Sequence, residues 1–585
     1  MKRGMGVCFI PFLVLSGCSD RSFVRNEKVK VMVERSHDYY VEHPIQEVNK
    51  GEDITFHVNF FTPAEVTYVS YENHEILNVT NTGFDLLLKD IQYSFIVNME
   101  VSKQGLRYYG NGGLNKAGRE MVFSPIHNYH LRENSLNAYS IFHKEGYLPL
   151  GWNTSSDGSG TFVSFGSRIP QGVSSLYAMW IKESDPSDFE VTQAGSQLEI
   201  KKYLGDKTEV VIPSYINGKR VTSIGANSFI SSTLKRVVLG KNILNIKDNA
   251  FFETSLEEVY LCDGIVQMDP FSFPSTVKKI HINAVDLPCF SGTYYDTFPD
   301  KIDYLDMIKD QKKIVLFSGS STRYGYDSRL IEEAYPDYAV SNMGVFAYVN
   351  IKPQLDVITH FMKEGDILLS SPEFDNHCLE NQFGTNNEFE WNLFAFFESN
   401  YDLLDYIDVS SYPSFFSSLS TFLNERSLMS KRDYSILAKQ FDDDENRYSF
   451  DTYDIEGDLI LPREGNPTDT HIMQPLDEYT LNTITPELVD CLNDVYQSLL
   501  DKKLNVLFTF SPKNRNCLKP NTTIEQRNIV EQYLHDHLIV PVISNWSDLI
   551  LPGTSFYKID NHLSTQAAIE RTRQVISDLS FYIQD

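Results

Sequence analysis

Lys312-Lys313-Ile314-Val315-Leu316-Phe317-Ser318-Gly319-Ser320-Ser321-Thr322 decides how the chain is read. An apolar run of β-formers stops at Gly319 and three small hydroxyl residues. After Arg323-Tyr324-Gly325-Tyr326-Asp327-Ser328, a helical pattern begins at Arg329 with Leu330, Ile331 and Ala334. Strand, tight turn and helix in this order hold a serine hydroxyl at the carboxyl edge of a parallel sheet. Backbone N–H groups and a helix N-terminus gather there and favour negative charge. Acyl transfer, which passes through an oxyanion, needs such a place. The same stretch also reads as an ordinary turn, so the rest of the chain has to decide.

Downstream, strand and helix patterns alternate. Strands are expected at Ile314–Phe317, Ala339–Ser341, Asp366–Ser370, Val506–Phe510 and Ile539–Ile543. Helices are expected at Pro353–Lys363, Pro486–Asp501, Thr523–His535 and from Thr565 onward. That alternation argues for a parallel sheet between helical layers. Residues 384–470 interrupt it with an acidic, aromatic insertion (Asp442-Asp443-Asp444-Glu445 among several Phe and Tyr). It reads as a lid, as an acceptor platform or, slightly favoured, as a solvated helical excursion.

Upstream, residues 188–283 repeat. Ile224, Ile246 and Met268 stand 22 apart, as do Phe229, Phe251 and Phe273. Leu234 and Leu256, and Val237 and Val259, keep the step; the third unit slips by one, to Val277 and Ile280. A period in the twenties with one β stretch per unit is a solenoid, each unit covering its neighbour's core. The run Val211-Ile212-Pro213-Ser214-Tyr215-Ile216-Asn217-Gly218-Lys219-Arg220-Val221-Thr222-Ser223-Ile224-Gly225 and the later Asn249-Ala250-Phe251 resemble BspA-type leucine-rich repeats. A spacer role and adhesion to a host or surface protein are equally weighted for it. Residues 284–308, with Pro288 and Pro299, read as a linker.

Before the repeats come two β modules. Residues 30–104 alternate in short strands (Ile54–Val58, Glu65–Val69, Phe84–Leu88, Tyr93–Val97) and read as sandwich-like. Residues 105–182 carry Tyr109-Gly110-Asn111-Gly112-Gly113, Lys144-Glu145-Gly146-Tyr147, Leu150-Gly151-Trp152-Asn153, Asp157-Gly158-Ser159-Gly160 and Leu176-Tyr177-Ala178-Met179-Trp180. This order resembles the internalin B-type (Listeria–Bacteroides) repeat of bacterial surface proteins, which implies a spacer or adhesive module without catalysis. Trp152 and Trp180 are expected as core anchors.

At the N-terminus, Lys2-Arg3 precedes an apolar run from Val7 to Leu15, too short to span a bilayer. Leu15-Ser16-Gly17-Cys18 resembles the bacterial lipobox. The resemblance implies a signal peptide over residues 1–17, cleavage before Cys18, a lipid on its thiol and a tether over 18–29. Two or more acyl chains would then hold the protein to the extracellular face of the membrane.

The chain has 585 residues, too many for one core. Its 51 Lys+Arg against 79 Asp+Glu leave −28, which argues against a nucleic-acid partner, since binding there needs clustered cations. Seven scattered cysteines show no zinc spacing, so no metal and no cofactor is expected; Cys262 and Cys289 could pair, but free thiols are favoured.

The C-terminal blocks then settle the opening question. Gly319-Ser320-Ser321, Asn342-Met343-Gly344, Ser371-Pro372-Glu373 and Asp560-Asn561-His562-Leu563 fall in that order at expected strand ends. Residues 309–585 resemble the SGNH/GDSL hydrolase superfamily, in the branch whose first block reads Gly-Ser-Ser. The resemblance implies a three-layer, flavodoxin-like α/β domain. Ser321 would be the nucleophile, His562 the base and Asp560 its orienting carboxylate, with Ser320 structural. The Ser321 and Gly344 N–H groups would form the oxyanion hole. Two departures stand out. The family's third-block Asn is missing, leaving Asn376 as the substitute donor. The orienting Asp lies two residues before His562, as in the acetyl-transferring relatives of exopolysaccharide modification. The expected whole is a multidomain, lipid-anchored surface esterase or O-acyltransferase acting on acyl esters of extracellular or wall glycans. The alternative is a non-catalytic adhesin.

Overall fold

The computed structural model describes residues 28–583 apart from 126–140, 232, 286–287, 291–292, 375–387, 430–451 and 471–476. The signal peptide and tether assigned to residues 1–29 therefore lie almost wholly outside the described residues, as do Cys18 and Asn376.

The first module packs small sheets around one core. In Ile54–Phe60 the residues Ile54, Phe56, Val58 and Phe60 are buried while Thr55 and His57 are exposed, the period of a half-buried strand. Ile54–Phe60 lies between Tyr39–Val41 and Gly83–Leu88, all antiparallel. The second module is a five-stranded sheet. Trp152 is buried at its centre against Tyr108, Phe142 and Phe165. Trp180 is half-buried and donates its indole N–H to the Gly110 carbonyl at 2.8 Å.

The solenoid register follows the sequence period. Ile224 pairs with Ile246 and Ile246 with Met268, all in parallel. On the second sheet Val237 pairs with Val259, and Val259 with Ile280, so the one-residue slip is real. Equivalent phenylalanines stack into a column: Tyr203 on Phe229 (centroids 5.3 Å apart), Phe229 on Phe251 (4.4 Å) and Phe251 on Phe273 (5.2 Å). Asn227 and Asn249, 22 apart, both take left-handed backbone at the turn, a conformation Asn tolerates.

The C-terminal region is built on a parallel sheet ordered Ala339–Asn342, Lys313–Phe317, Ile367–Ser370, Asn505–Phe508. The expected fifth strand is reduced to one parallel bridge, Phe508 to Val542. Side chains alternate between two covered faces. Ile314 and Leu316 pack with Ile331, Val575 and Leu579 on one side. Val315 and Phe317 share a core with Leu355, Leu492, Tyr496 and Leu534 on the other. The helices Ser328–Ala334 and Thr565–Leu579 thus cover one face, and Ile351–Ile358, Pro486–Asp501 and Ile524–His537 the other.

Two sequence expectations are corrected. Residues 284–308 are not a linker: Thr297–Met307 is a helix whose Phe298, Ile302 and Leu305, spaced at i, i+4, i+7, are buried. Pro299 fits because it sits in the first turn, where its missing N–H costs nothing. Nor is the insertion a solvated excursion over residues 388–429; its acidic run at 442–445 lies outside the described residues. Phe389, Phe394, Phe396, Phe397, Phe415 and Phe422 are buried, and Phe415–Met429 is a helix laid on the end of the solenoid. Phe416 continues the aromatic column on Phe273 at 4.9 Å, and the Ser420 hydroxyl donates to the Met268 carbonyl. Buried Arg426 bridges Glu398 and Asp263, each at 2.9 Å. The first module docks through Arg35, which ion-pairs with Glu332 and Glu456. A cleft of about 750 Å³ opens beside that contact, lined by Tyr39, Tyr40, Tyr338 and Glu333.

Candidate functional site

The site is built at the carboxyl edge of the parallel sheet. The Lys313–Phe317 strand ends at Ser318, and Ser320–Arg323 forms one helical turn. Gly319 makes the bend. A Cβ there would come within 2.6 Å of the Ala347 Cα and 2.7 Å of a Glu373 carboxylate oxygen, so only glycine fits. Gly344 is under the same constraint, since its Cβ would lie 2.5 Å from the Arg323 nitrogen.

His562 comes from the turn before the C-terminal helix. Phe556 and Leu563 pair across that turn, the His562 carbonyl accepts from the Tyr557 N–H at 2.8 Å, and Ser564 caps the helix. The loop therefore presents His562 toward the serine turn. Its Nε2 lies 2.9 Å from the Oγ of Ser320, and both residues keep some solvent exposure. The imidazole lies flat on the Tyr324 ring, with centroids 3.7 Å apart and planes within 8°.

The expected serine differs from the one found beside His562. Ser321 is buried, and among the described residues its hydroxyl has no hydrogen-bond partner. Successive side chains on a helical turn point about 100° apart, so only one of two adjacent serines can face a given neighbour. Here that one is Ser320.

Asp560 is directed elsewhere as well. It pairs with Lys513, which also pairs with Asp477. Among the described residues no carboxylate contacts His562. The ring is held instead by the Tyr324 stack and, indirectly, by Arg463. That guanidinium donates to the carbonyls of Leu563 (3.1 Å) and Tyr324 (3.3 Å), tying the two loops together. Arg323 and Arg463 also sit over the Tyr324 ring, 4.8 and 5.4 Å from its centroid. Burial first, then these two cations, hold the His562 pKa well below the usual histidine range. A neutral imidazole can take a proton from a serine, but the imidazolium it becomes lacks a carboxylate partner. The same cations would favour an oxyanion.

Both expected backbone oxyanion donors are occupied from within. The Ser321 N–H donates to Glu373 Oε1 at 2.6 Å, and the Gly344 N–H to Asn342 Oδ1 at 3.0 Å. The Gly344 carbonyl accepts from buried Lys301 at 2.7 Å; burial, with Arg323 nearby, lowers that lysine's pKa to about 7. Sequence reasoning missed the roles of Ser320, Tyr324, Arg463 and Glu373. Glu373 carried a signal, since it stands in the block where a donor is expected. Arg463 carried none, because the carbonyls through which it ties the two loops, those of Leu563 and Tyr324, lie 100 and 139 residues away.

Among the described residues no group of His, Cys, Asp and Glu could hold a metal ion, and no helix is long and apolar enough to cross a membrane. Cys262 and Cys289 are free.

Comparison with known proteins places the repeat. Residues 206–298 match the BspA type leucine rich repeat region, in six copies. Two solved structures resemble part of the chain. A T. pallidum leucine rich repeat protein (TpLRR) shows 20% identity over 23% of this chain and 60% of its own, with a TM-score of 0.13. The pneumococcal vaccine antigen PcpA shows 15% identity over 27% of this chain and 45% of its own, with a TM-score of 0.12. A search of curated proteins returns no match.

Proposed function

With residues 206–298 established as a BspA-type leucine-rich repeat region, we propose that the chain is a bacterial cell-surface protein, lipid-anchored through Cys18. Its C-terminal α/β region is an SGNH-like serine esterase or O-acyltransferase acting on acyl esters of extracellular or wall glycans. The observation that carries the catalytic reading is the 2.9 Å contact between His562 Nε2 and Ser320 Oγ at a parallel-sheet edge. Ser320, rather than Ser321, is the nucleophile. His562 takes the hydroxyl proton as Ser320 Oγ attacks the ester carbonyl, then returns it to the departing glycan oxygen. The acyl group then passes from Ser320 Oγ to water or to a second glycan hydroxyl, whose proton His562 takes and returns to Ser320 Oγ.

The test is labelling of the full chain with an active-serine fluorophosphonate. Wild type and Ser321→Ala are expected to label, and Ser320→Ala and His562→Ala are not. Equal labelling of wild type and Ser320→Ala refutes the assignment. A second reading, a non-catalytic adhesin working through the repeats, is favoured by the internal occupation of both oxyanion donors. It predicts no labelling of any variant.

A further inference from the structure

Resting on the Ser320–His562 reading, we propose that Glu373 is a shutter on the site, whose carboxylate must leave the Ser321 N–H before Ser320 can acylate. In a strand–turn–helix nucleophile, the N–H of the residue after the nucleophile points at the developing oxyanion. After Ser320 that residue is Ser321, and its N–H already donates to Glu373 Oε1 at 2.6 Å. The same oxygen lies 2.7 Å from where a Gly319 Cβ would be, so the carboxylate lies directly against the Gly319-Ser320-Ser321 bend. It is 2% exposed.

An N–H gives one good hydrogen bond. A substrate oxyanion cannot take it while a carboxylate holds it, and two negative oxygens repel at that range. The backbone before Glu373 is fixed: the Ser371 N–H donates to the Phe317 carbonyl at 3.1 Å, and the Ser371 hydroxyl accepts from Arg571 at 2.8 Å. Opening is therefore a rotation of the Glu373 side chain. The device explains why a site with a base in place and two guanidiniums nearby presents an acceptor where acyl transfer needs a donor.

The experiment measures the fluorophosphonate labelling rate of the full chain for wild type, Glu373→Gln and Glu373→Ala, each alone and with Ser320→Ala. Glu373→Ala is expected to label at least tenfold faster than wild type. Glu373→Gln, whose amide oxygen can still accept from the Ser321 N–H, is expected to gain less, and Ser320→Ala to abolish the gain. A folded Glu373→Ala that labels no faster than wild type shows that the carboxylate only caps the helical turn, which overturns the shutter and leaves the Ser320 reading standing. Labelling that survives Ser320→Ala overturns that reading and the shutter with it. A measurement free of variants is the structure of the phosphonylated wild type. A phosphoryl oxygen on the Ser321 N–H with Glu373 turned away is expected; Glu373 still bonded to that N–H refutes the proposal.

Discussion

Arg426→Met cuts the joint between the repeat and the α/β region, and its cost can be worked from the structure. The Arg426 side chain is 3% exposed, and its partners Asp263 and Glu398 are 0% and 1% exposed. Removing one member of a buried ion pair costs about 3–5 kcal/mol, because the partner's charge stays buried. Both carboxylates keep other donors: Glu398 has the N–H groups of Cys289 and Phe290, and Asp263 has that of Val285. That places the loss at the lower end, about 3 kcal/mol. For a cooperative unit of 150–250 residues this is a fall in Tm of about 6–12 °C. Scanning calorimetry is the assay, because a chain of several modules need not melt in one step. Lys235→Met, which breaks the exposed Lys235–Glu257 pair, is the control and should change little. Matching melting profiles for Arg426→Met and the control would refute the view that the insertion is built onto the solenoid.

The acid limb of labelling reports on His562. Only the neutral imidazole can accept the Ser320 proton, and its pKa is depressed by burial, Arg323 and Arg463. The rate should therefore stay level as pH falls through the ordinary 6.5 and drop only below it; a half-point at or above 6.5 contradicts the site's electrostatics. Asp560→Asn should lower stability, through its partner Lys513, while leaving the labelling rate within about twofold of wild type. Loss of labelling in a variant that still melts like wild type would return Asp560 to His562.

Local pattern and repetition made much of the fold readable. In the solenoid each unit places the same residue type in the same environment, so the step from Ile224 to Ile246 in the chain is the step from strand to strand in the sheet. The helix Pro486–Asp501 was bounded correctly because Thr485 caps it and Pro486 opens it. What escaped was decided by contacts distant in sequence. Phe416 and its neighbours belong to an acidic stretch that reads as solvated, yet they meet Phe273 well over 100 residues upstream. At the site, the turn and the histidine were legible, but the choice between two adjacent serines rests on how a single helical turn is rotated. Asp560 was two residues from His562 in the chain, and Lys513, 47 residues away, is what it touches.

The aromatic column has a consequence for how such a protein can change over generations. Open solenoids lengthen or shorten by duplicating or deleting units, since every internal face is equivalent. Here the last face, at Phe273, is closed by Phe416 from a segment that lies beyond the next module's first three strands. One more 22-residue unit would push that face away from its plug and strand Arg426 from Asp263. The number of repeats is thus locked to the α/β region, and variation in this lineage should run through substitutions on the solenoid's outer surface and not through its length.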